Sequence, residues 1–581
     1  MNPDWAVAGA VVAGAALCRL PRLLETPGWD GDEGYNLEIA WQLLHGRAQA
    51  FALSYAFVQH PVLFYAAAAP LLALFGRELW VIRALAGLAG SLTAGLLYLA
   101  ARASGRRVAA LAALAFAVAH FTTAYNRFGY TYNLLLFWSA LTLLLVLRWP
   151  PEPRRRHVLA AGGAAALGQL TDQAGIFLPA FVALSALPRR RLAVEALLAG
   201  ALPAAIAAAL MWAWQPDAAS QDWPHTFARL AAPAGAAAGW PVRWAAAFAR
   251  WVVNYLHLLR AEWWWPAAVI GLFCIRPLAV RRRVLLLAGL MAVPIFALRE
   301  LEPFFRSAIP LLLPAAWGLG AVLDAGIAAV YSTVGAPPPG RGLRPAGPEV
   351  APEAAPARRD APCLAPPLPP GPAGRTRGRD RFAGIPTSDF RLQTSDLGPR
   401  LGRRALAAVL AALVVLLPLG LEAGRTAGAL AAGFRLRIDW ALAADQRHAR
   451  EAAAFVNARA EPGDVVIVSP HVSWLFDGAV ADFLQAVARQ GQEIAFYPAG
   501  LPASRFRFDP SPASARYAVL DGYWDLWAAE SDAVARLVAE CEAWPLLWRG
   551  GGYRVHRRPD GPDRPADRPS AAPVAGPRSG S

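Results

Sequence analysis

Apolar runs rich in Leu and Ala alternate with short polar segments along most of this 581-residue chain. They cover 5–24, 60–76, 79–101, 108–125, 132–149, 158–171, 174–188, 193–214, 262–276, 284–299, 306–330 and 405–422. A helix of ~20 apolar residues spans the hydrocarbon core of a bilayer. The pattern therefore predicts an α-helical polytopic membrane protein with about 11–13 transmembrane helices. No Ala-x-Ala-like cleavage site follows the first run, which reads as a retained helix and not a removed signal.

Beyond 440 the pattern changes. A helical stretch ends at Glu461-Pro462-Gly463-Asp464, and Val465–Val468 follows as a buried strand. Further strands are expected at Ile494–Tyr497 and Arg516–Leu520, with amphipathic helices over 479–490 and 530–541, which together make a small α/β domain. It carries neither a G-x-G-x-x-G nor a P-loop, so nucleotide binding is not indicated. The expected organisation is a transmembrane module over 1–334, a disordered Pro/Arg-rich cytoplasmic loop over 335–402, a final transmembrane helix over 403–425, an extracytoplasmic α/β domain over 440–558 and a disordered tail over 559–581.

Composition adds topology. The formal charge of +15 would suggest nucleic acid in a soluble domain. Here the arginines cluster between apolar runs, at Arg102/Arg106/Arg107, Arg148/Arg154/Arg155/Arg156, Arg189/Arg190/Arg191, Arg281/Arg282/Arg283 and Arg403/Arg404. Cytoplasmic loops have that character, so no nucleic-acid partner is expected. The same rule places Asn126–Tyr130, Thr171-Asp172-Gln173, the Trp-bearing stretch 215–260 and Arg299–Glu302 outside; Trp263-Trp264-Trp265 marks the return into the bilayer. One conflict arises, because two full crossings at 60–76 and 79–101 would put Arg102 outside as well. The four cysteines show neither a disulfide framework nor metal spacing.

The densest candidate chemistry is Asp30-Gly31-Asp32-Glu33-Gly34-Tyr35, three carboxylates bracketed by Trp29 and Tyr35, residues suited to a membrane–water boundary. The following segment puts Leu37, Ala40, Trp41 and Leu44 on one helical face, as for an amphipathic helix lying in the interface. The plain alternative is a solvated loop with an acidic helix start, which the helix dipole favours.

Four stretches resemble the bacterial members of the protein O-mannosyltransferase and aminoarabinose transferase superfamily, of the GT-C fold. They are Gly31–Ala40 with Leu43-Leu44-His45-Gly46, Gln59-His60-Pro61-Val62-Leu63-Phe64-Tyr65 with Arg83, Arg127–Asn133, and Phe305-Arg306 with Pro310 and Pro314. The resemblance covers roughly 5–330 and implies a membrane glycosyltransferase moving a sugar from a polyprenyl-phosphate donor to an extracytoplasmic acceptor, in the plasma (inner) membrane. It implies Asp32 as catalytic base, with Glu33 orienting the acceptor or holding a divalent cation. His60, Arg127 and Arg306 are the phosphate-binding candidates, since a guanidinium grips phosphate oxygens bidentately. Acceptor-side candidates are Asp30, Tyr35, Tyr130, Asn133 and Asp172.

Departures qualify the carry-over. Tyr132-Asn133 stands where many relatives have an acid, Asp172 where some have a lysine, and Gln59 where aminoarabinose transferases carry a metal-binding glutamate, so their metal is not carried over. The rival classes are a non-catalytic scaffold of the same fold and a lipid-linked-sugar transporter or flippase. The latter calls for ionisable residues within apolar runs, whereas here the acids cluster in loops.

Overall fold

The computed structural model describes residues 3–46, 61–214, 262–298, 305–334, 397–434, 445–494 and 497–559, with scattered positions between 216 and 258. His60, most of 215–260, most of the Pro/Arg-rich loop and the tail beyond 559 therefore lie outside the described residues. Residues 1–325 and 416–581 form one compact unit and 326–415 a second. The candidate site and the sheet described below belong to the first.

The described chain is mostly helical. By length and hydropathy, four helical runs suffice to cross a membrane: Leu79–Ser104, Arg190–Trp214, Ala308–Thr333 and Ala405–Ala432. Leu63–Phe75, Thr131–Leu147, Gln173–Ser185 and Trp265–Cys274 are apolar but shorter. Among the described residues, then, length and hydropathy support fewer crossings than the expected eleven to thirteen. Helices approach closely where small residues meet: a Cβ on Gly271 would lie 1.8 Å from the Gly318 carbonyl oxygen.

The first four helices bear on the Arg102 conflict. α1 (Pro3–Arg19), α2 (Gly31–Leu44), α3 (Leu63–Phe75) and α4 (Leu79–Ala101) follow in order. α3 has 13 residues, about 20 Å at 1.5 Å per residue, too short for a ~30 Å core. Near its start Tyr65 bonds to Asn36 on α2; just past its end Arg77 pairs with Glu38 on the same helix. Both ends therefore stay beside α2, and α3 is too short to span the core. α4 is long enough, and it carries Arg83 next to Glu33 at one end and Arg102 next to Asp4 at the other.

α2 corrects a second expectation. It is not an amphipathic helix resting on lipid: Gly31, Glu33, Gly34, Asn36, Leu37, Ile39 and Ala40 are all buried. One hydrophobic core runs from Trp29, Leu37 and Ala40 through Tyr65 and Ile82 into Val466, Trp474, Phe483 and Trp524. The acidic stretch and the α/β portion thus share one core and lie together.

The α/β portion is a five-stranded sheet of order β2-β1-β3-β5-β4. β1 (Val465–Val468), β2 (Ala479–Asp482) and β3 (Ala515–Leu520) run parallel. β4 (Leu546–Gly550) and β5 (Tyr553–Arg557) form an antiparallel hairpin on β3. β1 and β3 match the sequence pattern. The expected helix over 479–490 begins as β2 before the helix Phe483–Arg489, and Ile494 and Tyr497 make one isolated bridge outside the five strands.

Candidate active site

The acidic stretch folds because its side chains satisfy the start of a helix. Asp30 is the N-cap of α2 and accepts from the Asp32 amide at 2.9 Å, while Glu33 reaches back to the Asp30 amide at 3.2 Å, a reciprocal capping box. Asp30, expected on the acceptor side, is therefore a helix cap. Glu33 is fully buried. Its Oε1 accepts from Arg83 Nε and the Gly129 amide, both at 2.7 Å, and its Oε2 from Arg83 Nη2 at 2.5 Å. Arg83, equally buried, spends its other protons on the carbonyls of Leu23, Pro27 and Gly28. This bidentate pair ties α2, α4 and two loops together, and removing one member would strand a buried charge at about 3–5 kcal/mol.

Arg127 is likewise no phosphate ligand. It is fully buried, and all three guanidinium nitrogens donate to main-chain carbonyls: Nε to Thr26 at 3.0 Å, Nη1 to Cys18 and Arg19, Nη2 to Pro21, Arg22 and Thr26. The loop after α1 takes every proton that a phosphate would need. Asn133 is spent in the same way, donating to the Tyr125 and Phe128 carbonyls and accepting from Asn126, so it braces the second loop instead of facing an acceptor. Tyr130 is buried and stacks on Phe128 with centroids 4.9 Å apart. Tyr35 turns its hydroxyl to the Asp482 carboxylate of the sheet. Arg306 lies in the 3-10 helix Phe305–Leu311, and its side chain is outside the described residues.

What the fold does gather is a smaller group. Asp32 sits half-buried in the first turn of α2. The buried Tyr65 hydroxyl donates to Asn36 Oδ1 at 3.1 Å, and Asn36 Nδ2 donates to the Gly129 carbonyl at 2.9 Å. Tyr65 is within electrostatic reach of both Asp32 and Asp172. Asp172 is 4% exposed; its Oδ2 accepts from the Thr131 hydroxyl and its Oδ1 from the Ala174 amide at 2.8 Å. Asp32, on the first turn of α2, and Asp172, just past the helix Arg155–Thr171, thus both lie within electrostatic reach of one phenol.

The sequence profile of a family described as dolichyl-phosphate-mannose-protein mannosyltransferase matches residues 59–214. Among solved structures, ArnT from Cupriavidus metallidurans bound to undecaprenyl phosphate is 17% identical, covers 96% of this chain and 98% of its own, and superposes with a TM-score of 0.53. Its apo state gives 15% identity, 95% and 97% coverage and the same TM-score of 0.53. A weaker likeness is to the oligosaccharyltransferase AglB from Archaeoglobus fulgidus, with 12% identity, 92% and 71% coverage and a TM-score of 0.48. No curated protein matches the chain. The ArnT likeness runs the length of both chains, and the profile match falls on the helices behind α2. At this identity the likeness shows the fold: the chain has the fold of ArnT.

In this chain a divalent ion held jointly by Asp32 and Glu33 does not fit. The two oxygens of Glu33 already accept four hydrogen bonds, and its charge is matched by Arg83. Among the described residues no group of three His, Cys, Asp or Glu side chains comes together as a metal site. Tyr65 and Asn36 are the members of this group that the residue pattern did not single out. Both stood inside the motif stretches, and only the turn of α3 back onto α2 reveals what they join.

Proposed function

We propose that the chain is a membrane glycosyltransferase that moves a sugar from a polyprenyl-phosphate donor to an extracytoplasmic acceptor, with Asp32 as the base. Several facts support this reading. The fold is GT-C, a structural neighbour is described with undecaprenyl phosphate bound, and membrane-length helices are present. The single observation that carries the residue assignment is the contrast between adjacent acids. Glu33 is closed inside an ion pair, whereas Asp32 keeps solvent access beside Tyr65 and Asp172.

The chemistry is a substitution at the anomeric carbon. The acceptor hydroxyl oxygen bonds to that carbon while Asp32 takes the hydroxyl proton. The bond from the carbon to the phosphate oxygen breaks, and its electron pair leaves with the polyprenyl phosphate. Base assistance of this kind contributes about 10²–10⁴-fold. Asp172 and Tyr65 hold the acceptor side of the group, and the α/β sheet stands outside the plasma membrane with them.

The test is complementation of a deletion strain with wild-type chain or Asp32→Asn, read by mass spectrometry of surface glycans, glycolipids and glycoproteins. The reading expects a sugar modification that wild type restores and Asp32→Asn does not. Equal restoration by both would remove Asp32 from catalysis and favour a scaffold.

A further inference from the structure

The sheet's position against α2 is more specific than packing requires. In open parallel sheets, ligands bind in the crevice beyond the carboxyl ends of the strands, where the connections diverge. β1 lies between its parallel neighbours β2 and β3, and their carboxyl ends lead into Ser469-Pro470-His471, Asp482 and Asp521. No separate ligand is needed to explain what closes this edge: the first turn of α2 does. A Cβ on Gly34 would lie 1.8 Å from the Pro470 carbonyl oxygen and 3.3 Å from the His471 Cα. One on Gly31 would lie 3.3 Å from the Tyr523 hydroxyl. Asp32 and Glu33 are the two residues between these glycines.

The gripping residues are themselves braced. Asp521 Oδ1 accepts from the Ser469 hydroxyl at 2.7 Å and the Tyr523 amide at 2.9 Å, and caps the helix Gly522–Glu530. His471 Nε2 lies 3.2 Å from Asp521 Oδ2, both residues being buried. The His471 and Tyr523 rings meet edge to face with centroids 5.2 Å apart. Burying ionisable groups costs stability that apolar side chains of equal volume would not. A contact surface that only filled space would not use them, whereas one that must hold a turn in a single geometry gains directionality from them.

We propose that the carboxyl edge of the small sheet is the positioning wall of the catalytic turn, with His471, held by Asp521, as the positioning residue that acts on Asp32 through Gly31 and Gly34. This rests on the reading of Asp32 as base. A displacement of about 1 Å of a catalytic group is enough to cost on the order of 10²-fold in rate. The wall is thus a determinant of turnover and not of lipid binding.

The experiment uses the full-length chain in detergent or nanodiscs, comparing wild type with His471→Ala, His471→Gln and Gly34→Ala. Three quantities are read: undecaprenyl phosphate binding, sugar transfer in the complemented strain at matched expression, and hydrogen–deuterium exchange of the 31–36 amides. The wall predicts at least ~10-fold loss of transfer in His471→Ala, faster exchange confined to 31–36, unchanged undecaprenyl phosphate binding, and partial rescue by His471→Gln, which keeps a donor for Asp521. Gly34→Ala gives the same pattern more severely, and if it does not fold, the His471 pair decides. Wild-type transfer and wild-type exchange in His471→Ala overturn the wall. If wild type itself transfers nothing, the function proposed above fails instead, and unchanged 31–36 exchange in His471→Ala still rejects the wall.

Discussion

Two polar regions meet at α2, and they differ in one respect that decides their roles. Around Glu33, Arg83 and Arg127, every charged atom is buried and satisfied by another charge or by main-chain carbonyls. Around Tyr65, the phenol lies within electrostatic reach of two carboxylates, and one of them, Asp32, keeps access to solvent. Adjacent acids in the same turn thus differ in burial, and the proposed function assigns chemistry to the half-buried one. The arginines that charge arithmetic would offer to a phosphate are the ones the loops have already used.

The sharpest break of this comparison is Arg83→Met. If the first region is structural, Glu33 and three carbonyls lose their partner, and the solubilised protein should lose about 3–5 kcal/mol of stability, visible as a large fall in melting temperature. An unchanged melting curve would place Arg83 with the reactive group. Next comes the sheet side of the junction. Burial pushes the Asp482 carboxyl up to about 6, above its ordinary value of 3.8, so the folded state holds that proton longer than the unfolded chain. Stability should then fall as pH rises from about 4 to about 6, by about 3 kcal/mol in all, since each pKa unit is worth ~1.4 kcal/mol. Asp482→Asn should flatten that slope in melting curves taken across the range; a slope kept intact would assign it to another group. The smallest effect is expected for Tyr65→Phe, which removes one hydroxyl from the second region. A loss of about tenfold in transfer, near 1.4 kcal/mol in barrier, is predicted with little change in melting; the reverse pattern would move Tyr65 to the structural side.

Much of this was legible along the chain because it is local. The acidic turn, the helix behind it, β1 and β3 each announce themselves by spacing or by a continuous run of β-branched residues. What escaped is set by distant partners. Glu33 finds Arg83 fifty positions on, and Arg127 finds the carbonyls of 18–26, neither of which any motif encodes. The β4–β5 hairpin was missed because β4 is largely exposed and shows no clean alternation. α2 was taken for an interfacial helix because its apolar face is visible in sequence, while the two glycines that admit Pro470 on another side read only as turn formers. Near Tyr132-Asn133, where no acid stands, Asp172 comes in from another loop and accepts from the Thr131 hydroxyl.

The most direct measurement sets Asp32→Asn beside Glu33→Gln, each assayed for both melting temperature and sugar transfer. Asp32→Asn should melt like wild type and lose transfer by about 10²–10⁴-fold, whereas Glu33→Gln should lose stability first, on the order of 3–5 kcal/mol. Transfer surviving in Asp32→Asn, with its loss confined to a Glu33→Gln protein that melts normally, would contradict the division of labour drawn between these two neighbours.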